Sequence, residues 1–258
     1  MSATIQKSLL AAAAFSISAT PAFGQGGAQC SALPDHAALK AALDAAVAEE
    51  ASGLNLDMWA TLVNRDGIVC AVAFSGSDRG AQWPGSRVIS AQKANTANAF
   101  SLDGLALSTA NLYSVVQPGG SLYGLQHSNP VNAAAAYKGP PDKFGRPNDP
   151  LVNQPVGGVN VFGGGLGLYD GSGIVGGLGL SGDTSCADHM IAWRVRHNLA
   201  LDVFGGSVQG VSGDPERPDN IIYDIEPNPA GGTGVSAGGF GHPECPNTGD
   251  EATLPPVQ

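Results

Sequence analysis

Residues 159–197, VNVFGGGLGLYDGSGIVGGLGLSGDTSCADHMIAWRVRH, decide the fold. Apolar runs at 159–162 and 166–169 are studded with glycine, reverse at Asp170-Gly171-Ser172-Gly173 and return through 174–180. A reversal this tight makes neighbouring strands antiparallel. From Ser185 to about Leu201 the pattern turns helical, with Ala187, Ile191, Val195 and Leu199 at four-residue spacing as a core stripe. The same stretch gathers the most chemistry. Its glycines permit close backbone approach, the helix start offers unpaired N–H groups, and Asp183, Asp188, His189, Trp193, Arg196 and His197 follow within a few turns.

Working outward, 35–50 places Leu39, Leu43, Ala46 and Val47 at helical intervals, with Pro34 and Asp35 as start signals and Gly53 past the end. Runs at 58–63 and 68–74 flank Asn64-Arg65-Asp66-Gly67 and predict a hairpin. After a loop at 75–85, residues 86–100 predict a second helix whose Ala91, Ala94, Ala97 and Ala99 allow close packing. A shorter helix is expected at 108–116. Prolines at 130, 140, 141, 147, 150 and 155 mark 129–158 as an inserted loop. Beyond Asp202 the chain is rich in Gly and Pro, with one strand expected at 221–225. The order of elements predicts an α+β single domain over 25–205, an antiparallel sheet of about five strands with flanking helices, followed by an extension at 206–258.

The first 24 residues read as an export signal: Lys7, an apolar run at 8–19, then Pro21-Ala22-Phe23-Gly24 suited to cleavage before Gln25. The run is too short for the roughly 20 residues of a membrane span, so a periplasmic or secreted chain is expected. Net charge is −10, and removing the signal takes away only Lys7. Such a surface repels nucleic-acid phosphates and anionic lipid, which argues against either partner. Cys30, Cys70, Cys186 and Cys245 all lie past the signal and include no Cys-x-x-Cys pair. An even count in an exported chain predicts disulfides. The pairing stays open, with a lean toward one bridge tying the Cys245 tail to the body.

Gly177-Leu178-Gly179-Leu180-Ser181-Gly182 matches the dinucleotide pattern G-x-G-x-x-G, with Asp202 at about the acidic distance. Asp183 and Asp188 put negative charge where pyrophosphate belongs, and the βαβ surroundings are missing, so a tight strand-to-helix turn is the better reading. His189, Trp193, Arg196 and His197 fall on the helix face opposite the core stripe. Imidazole ligates haem iron, indole stacks on a macrocycle and arginine pairs with a propionate. Lys93, with Thr96 on the alanine-rich helix, and Arg79 on the 75–85 loop are further anion contacts. Capping and solvation of these helices is the competing reading. No His-Glu-x-x-His signature occurs, and His36, His127 and His242 stand alone.

With these residues laid out, the chain resembles the GlcG/HbpS/PduO C-terminal family, the haem-degrading or DUF336 domains, over roughly residues 39–201. The resemblance rests on the first helix, Asn64-Arg65-Asp66-Gly67-Ile68-Val69, the Ala91-Gln92-Lys93-Ala94-Asn95-Thr96-Ala97 helix, and the glycine-rich hairpin before Asp188. It implies a profilin-like or PAS-like domain, a tendency to homo-oligomerise and tetrapyrrole binding. Lys93, Thr96 and Asp188 occupy the family's lysine, threonine and acidic positions. Cys70, Cys186, the 129–158 insertion and His242-Pro243-Glu244-Cys245 are departures. The leading expectation is an exported haem or tetrapyrrole binder, with His189 on the iron and Lys93, Arg196 and Arg79 on the propionates. Alternatives are a small-organic-acid enzyme or sensor, and a structural oligomeric module. Nothing in the residues specifies turnover.

Overall fold

A computed structural model describes residues 29–258, so the export-signal reading of residues 1–24 lies outside the described residues. The elements relevant to the site are α1 (His36–Glu49), β1 (Trp59–Asn64), β2 (Val69–Phe74), α2 (Ser86–Phe100), α3 (Leu125–Ser128), α4 (Ala133–Ala136), β3 (Gly165–Asp170), β4 (Ile174–Ser181), α5 (Ser185–Asn198) and β5 (Asp202–Val203). Five strands form one sheet in the order β2-β1-β4-β3-β5, antiparallel except for the short β3–β5 pairing. This is the mixed α+β architecture expected from the order of hairpins and helices.

The alternation of glycine and leucine in β3 and β4 sets the layers. Leu166 pairs with Leu178, while Gly165 pairs with Gly179 and Gly167 with Gly177. Successive strand residues face opposite sides, so one face is leucine and the other bare backbone. The leucine face joins Leu62, Leu39, Leu43, Met190 and Ile191 in the largest core, under α1 and α5. On the bare face α2 lies almost on the strands. A Cβ at Gly179 would come within 2.0 Å of the Ser90 carbonyl, and one at Gly177 within 2.3 Å of that of Ala94. The glycines of the G-x-G-x-x-G match therefore serve helix-on-sheet packing. Gly182 serves the turn, since a Cβ there would meet the Asp57 carbonyl at 2.3 Å.

Three expectations for elements are corrected. The 108–116 helix is a set of turns ending in a 3-10 turn at Ser114–Val116. Residues 159–162 form no strand, and Val159 and Val161 instead pack on Leu112. The 221–225 strand is reduced to β6 (Ile225–Glu226), paired with β7 (Val235–Ser236) outside the main sheet.

The insertion and the extension are both held to the body by buried ions. Arg87 grips Asp149 through both carboxylate oxygens, lies 3.7 Å over Phe144, and so fastens the insertion to α2. The carboxylate of Asp149 also accepts the N–H groups of Gly145 at 2.6 Å and Leu151 at 2.8 Å. In the extension, Asp219 takes Arg196 bidentately at 2.7 and 2.9 Å, and Leu254 enters the main core. The bridges are Cys30–Cys70 and Cys186–Cys245, the second tying the extension to α5.

Candidate functional site

The glycine-rich turn at 163–165, the start of α5 and the side chain of Lys93 meet at one end of the sheet. Thr184 caps α5 by accepting the Ala187 N–H at 3.3 Å. One turn in, Asp188 accepts the N–H groups of Gly182 and Asp183, each at 3.0 Å, through one oxygen. Its other oxygen takes the Lys93 ammonium at 2.6 Å. Helices α2 and α5 lie on opposite faces of the sheet, so Lys93 reaches Asp188 past the bare backbone of Gly164, where a Cβ would meet the Lys93 Nζ at 3.1 Å. Burial pushes the Asp188 carboxyl up to about 6, opposed by the charge and hydrogen bond of Lys93. At neutral pH the pair is ionised and sealed, both side chains being at most 3% exposed.

The open helix face expected around His189 is corrected. His189, Trp193 and Arg196 are all fully buried, because the extension lies across them. His189 Nε2 receives the Ile221 N–H at 3.2 Å with Asn220 Oδ1 at 3.3 Å, while Nδ1 has no partner. Trp193 donates its indole N–H to the Pro255 carbonyl at 2.8 Å. Arg196 lies 4.4 Å over the Trp193 ring while gripping Asp219, so its charge is committed inside the molecule. Burial, followed by the charges of Arg196 and His242, pulls His189 down to about 3. It is therefore a neutral imidazole.

The remaining expected residues are scattered or structural. Asp183 accepts the backbone N–H groups of Leu54 at 2.8 Å and Leu56 at 2.9 Å, and its closeness excludes any Cβ at Gly53. Thr96 donates to the Gln92 carbonyl at 2.7 Å and accepts the Asn160 N–H at 3.0 Å. Arg79 is exposed on its loop, away from the cluster. Lys93, Asp188 and His189 are thus brought together, and Arg79 is not.

Sequence reasoning missed Asp219, Asn220 and the placement of His242. The first two sit in a Pro/Gly-rich run with no periodicity, so only a carboxylate opposite an otherwise unpaired Arg196 hinted at them. His242 is buried beside the cluster, donating from Nδ1 to the Pro243 carbonyl at 2.7 Å and accepting the Gly163 N–H at 3.4 Å. Burial holds it down at about 4.

Concave surface lies one layer further out. A cavity of about 700 Å³ separates residues 114–121 from the β6–β7 hairpin, and Val115, Pro118 and Val235 are among its walls. A second of about 430 Å³ shares Asn228, Gly232 and Thr233 with it and is lined also by Tyr223, His242 and Pro243. The Tyr223 hydroxyl is buried without a partner. Neither cavity is lined by Lys93, Asp188 or His189.

A glycine-faced sheet against an alanine helix, joined across its end by a lysine and an acid, defines the class to which comparison then assigns the chain. It belongs to the family described as haem degrading protein HbpS-like, whose model matches residues 35–196. The chain matches none of the curated proteins. Among solved structures it is similar to the Klebsiella pneumoniae protein ORFY, of the DUF336 family model, at 24% identity and TM-score 0.44 over 65% of this chain and 90% of that one. It is also similar to the PduOC:heme complex, at 24% identity and TM-score 0.47 over 69% of this chain and 99% of the other. Among the described residues no helix is long and apolar enough to cross a membrane.

Proposed function

We propose that the chain is an exported tetrapyrrole-binding protein of the HbpS-like family, acting in haem handling, with its ligand in the double cavity between residues 114–121 and the β6–β7 hairpin. The observation that carries this reading is the contrast between a sealed cluster and an open cleft. Lys93 and Asp188 are paired and buried and His189 lies under the extension, whereas the cleft offers volumes inside the range of about 300–1,000 Å³ usual for small-molecule sites. Val115, Val235, Ile225 and Pro243 give it apolar patches between glycine and polar walls, which suit a large flat ligand with a polar edge. Export is supported by two disulfides in an acidic chain.

Haem fits the cleft by size but not by ligation. Both nitrogens of His242 are engaged and His189 faces the extension, so neither presents a free lone pair to a cavity. Haem, if bound, would be the group whose degradation the family description names; the residues here would supply apolar contact and exclusion of water. The small-acid reading loses two of its cations, since Lys93 and Arg196 are paired internally, and keeps only the exposed Arg79.

Titration with haem and with metal-free protoporphyrin tests the reading. Both are expected to bind with dissociation constants within about tenfold, because iron contributes no protein bond. Val235→Asp weakens both, and His189→Ala leaves the haem spectrum unchanged. Failure of the metal-free ring to bind, or a displaced Soret band in His189→Ala, overturns it. His127, exposed on α3, is the next histidine to replace.

A further inference from the structure

Cys186 and Cys245 hold more chemistry than a clasp needs. Both sulfurs and one ring nitrogen of His242 lie within 4.8 Å of one another. The other disulfide, Cys30–Cys70, belongs to no such group among the described residues. The Cys245 sulfur sits on the first turn of α5, accepting the Cys186 N–H at 3.3 Å with the Ser185 hydroxyl at 3.6 Å. A helix N-terminus of this kind favours thiolate over thiol. His242 donates its Nδ1–H to the Pro243 carbonyl, so Nε2 carries the lone pair, and the Gly163 N–H that it accepts lies at 3.4 Å, a long bond that a metal would have to displace. It also lines the cavity of about 430 Å³, which gives an entry path and room for water as a fourth ligand.

We propose that Cys186, Cys245 and His242 form a site for a thiophilic divalent cation, of which zinc is the probe, when the disulfide is reduced. The pair then works as a couple that takes up metal reduced and releases it oxidised. This inference is independent of the tetrapyrrole reading. A dithiol gives two electrons and two protons to the sulfur–sulfur bond and itself becomes a disulfide. Zinc then displaces the two thiol protons to solvent as it binds the thiolates. In the reverse direction a disulfide oxidant accepts two electrons from the thiolates, the Cys186–Cys245 bond re-forms and zinc leaves.

The test uses the full chain, reduced with a dithiol, desalted without oxygen and titrated with zinc alone against a chromogenic chelator. The reduced Cys30→Ser/Cys70→Ser variant is expected to take up about one equivalent of zinc, as a site of three Cys/His ligands with one water does. The oxidised chain and the reduced Cys186→Ser/Cys245→Ser variant take up none, and His242→Ala in the reduced chain loses affinity. Equal uptake by reduced and oxidised protein, or uptake that survives loss of Cys186 and Cys245, overturns the proposal. Should the serine variants fail to fold, cobalt(II) added to the reduced unmodified chain decides. A thiolate-to-cobalt charge-transfer band that fades in His242→Ala is expected, and its absence overturns the site.

Discussion

Lys93 and Asp188 turn a position that resembles a ligand contact into a joint. A buried charge left alone is costly, whereas a matched apolar pair of similar volume is often tolerated. Asp188→Leu alone is therefore expected to destabilise the chain by about 3–5 kcal/mol, leaving the ammonium stranded, and Lys93→Met with Asp188→Leu to recover the share due to the charge but not that of the Gly182 and Asp183 N–H groups, which lose their acceptor in both variants. Urea unfolding of the two variants checks it, and equal losses in both sink the idea of a stranded charge. That Asp188 and His189 open a helix after a glycine-rich strand was legible in the chain, whereas the Lys93–Asp188 pairing was not. What hid their role was the partner set. Asn220, Ile221 and Pro255 cover His189 and Trp193 through backbone groups as well as a side chain, and backbone donors and acceptors carry no signature in the residue string.

At the scale of elements, the spacing between α2 and the sheet is set by residues that have no side chain. Gly179→Ala would drive a methyl group into the Ser90 carbonyl, with the helix backbone behind it. The expected cost is about 1–3 kcal/mol or more, as in overpacked cores. Thermal melts should show Gly179→Ala well below the parent and Gly85→Ala, where nothing lies within 4 Å, unchanged. The boundaries of α1, α2 and α5 and the β1–β2 hairpin could be read from periodicity, since each buries a continuous face or closes on a short turn. Residues 159–162 and 221–225 could not. A short apolar run looks alike whether it pairs in a sheet or plugs a gap, and these runs meet partners brought in from far along the chain. Ile222, for one, spends its carbonyl on the His242 N–H at 2.8 Å.

At the scale of the whole molecule, the extension is a structural layer. The polar, glycine-rich tail, expected to depend on its bridge, also holds by burial of Ile221 and Leu254 and by the Asp219–Arg196 pair. The layer brings a pH dependence. His189 and His242 drop from 6.5 to about 3 and about 4, so the unfolded chain binds protons that the folded one refuses. Stability held above pH 6.5 is lost as pH falls through that window. Asp188, raised from 3.8 to about 6, runs the other way and offsets roughly one histidine. The net expectation is a loss of about 1.4 kcal/mol per pH unit between pH 6 and pH 4. Unfolding curves at pH 6, 5 and 4 measure it, and stability that stays flat or rises refutes the sealed-histidine account. Leu254 shares its core with Leu39 and Leu43, from opposite ends of the described sequence. A nascent chain can therefore not finish that core until residues near 254 have emerged. Until then α1 has an incomplete docking surface, and contacts of such long sequence separation form slowly. The amino-terminal helix thus waits for nearly the last residues to be joined before its burial is complete.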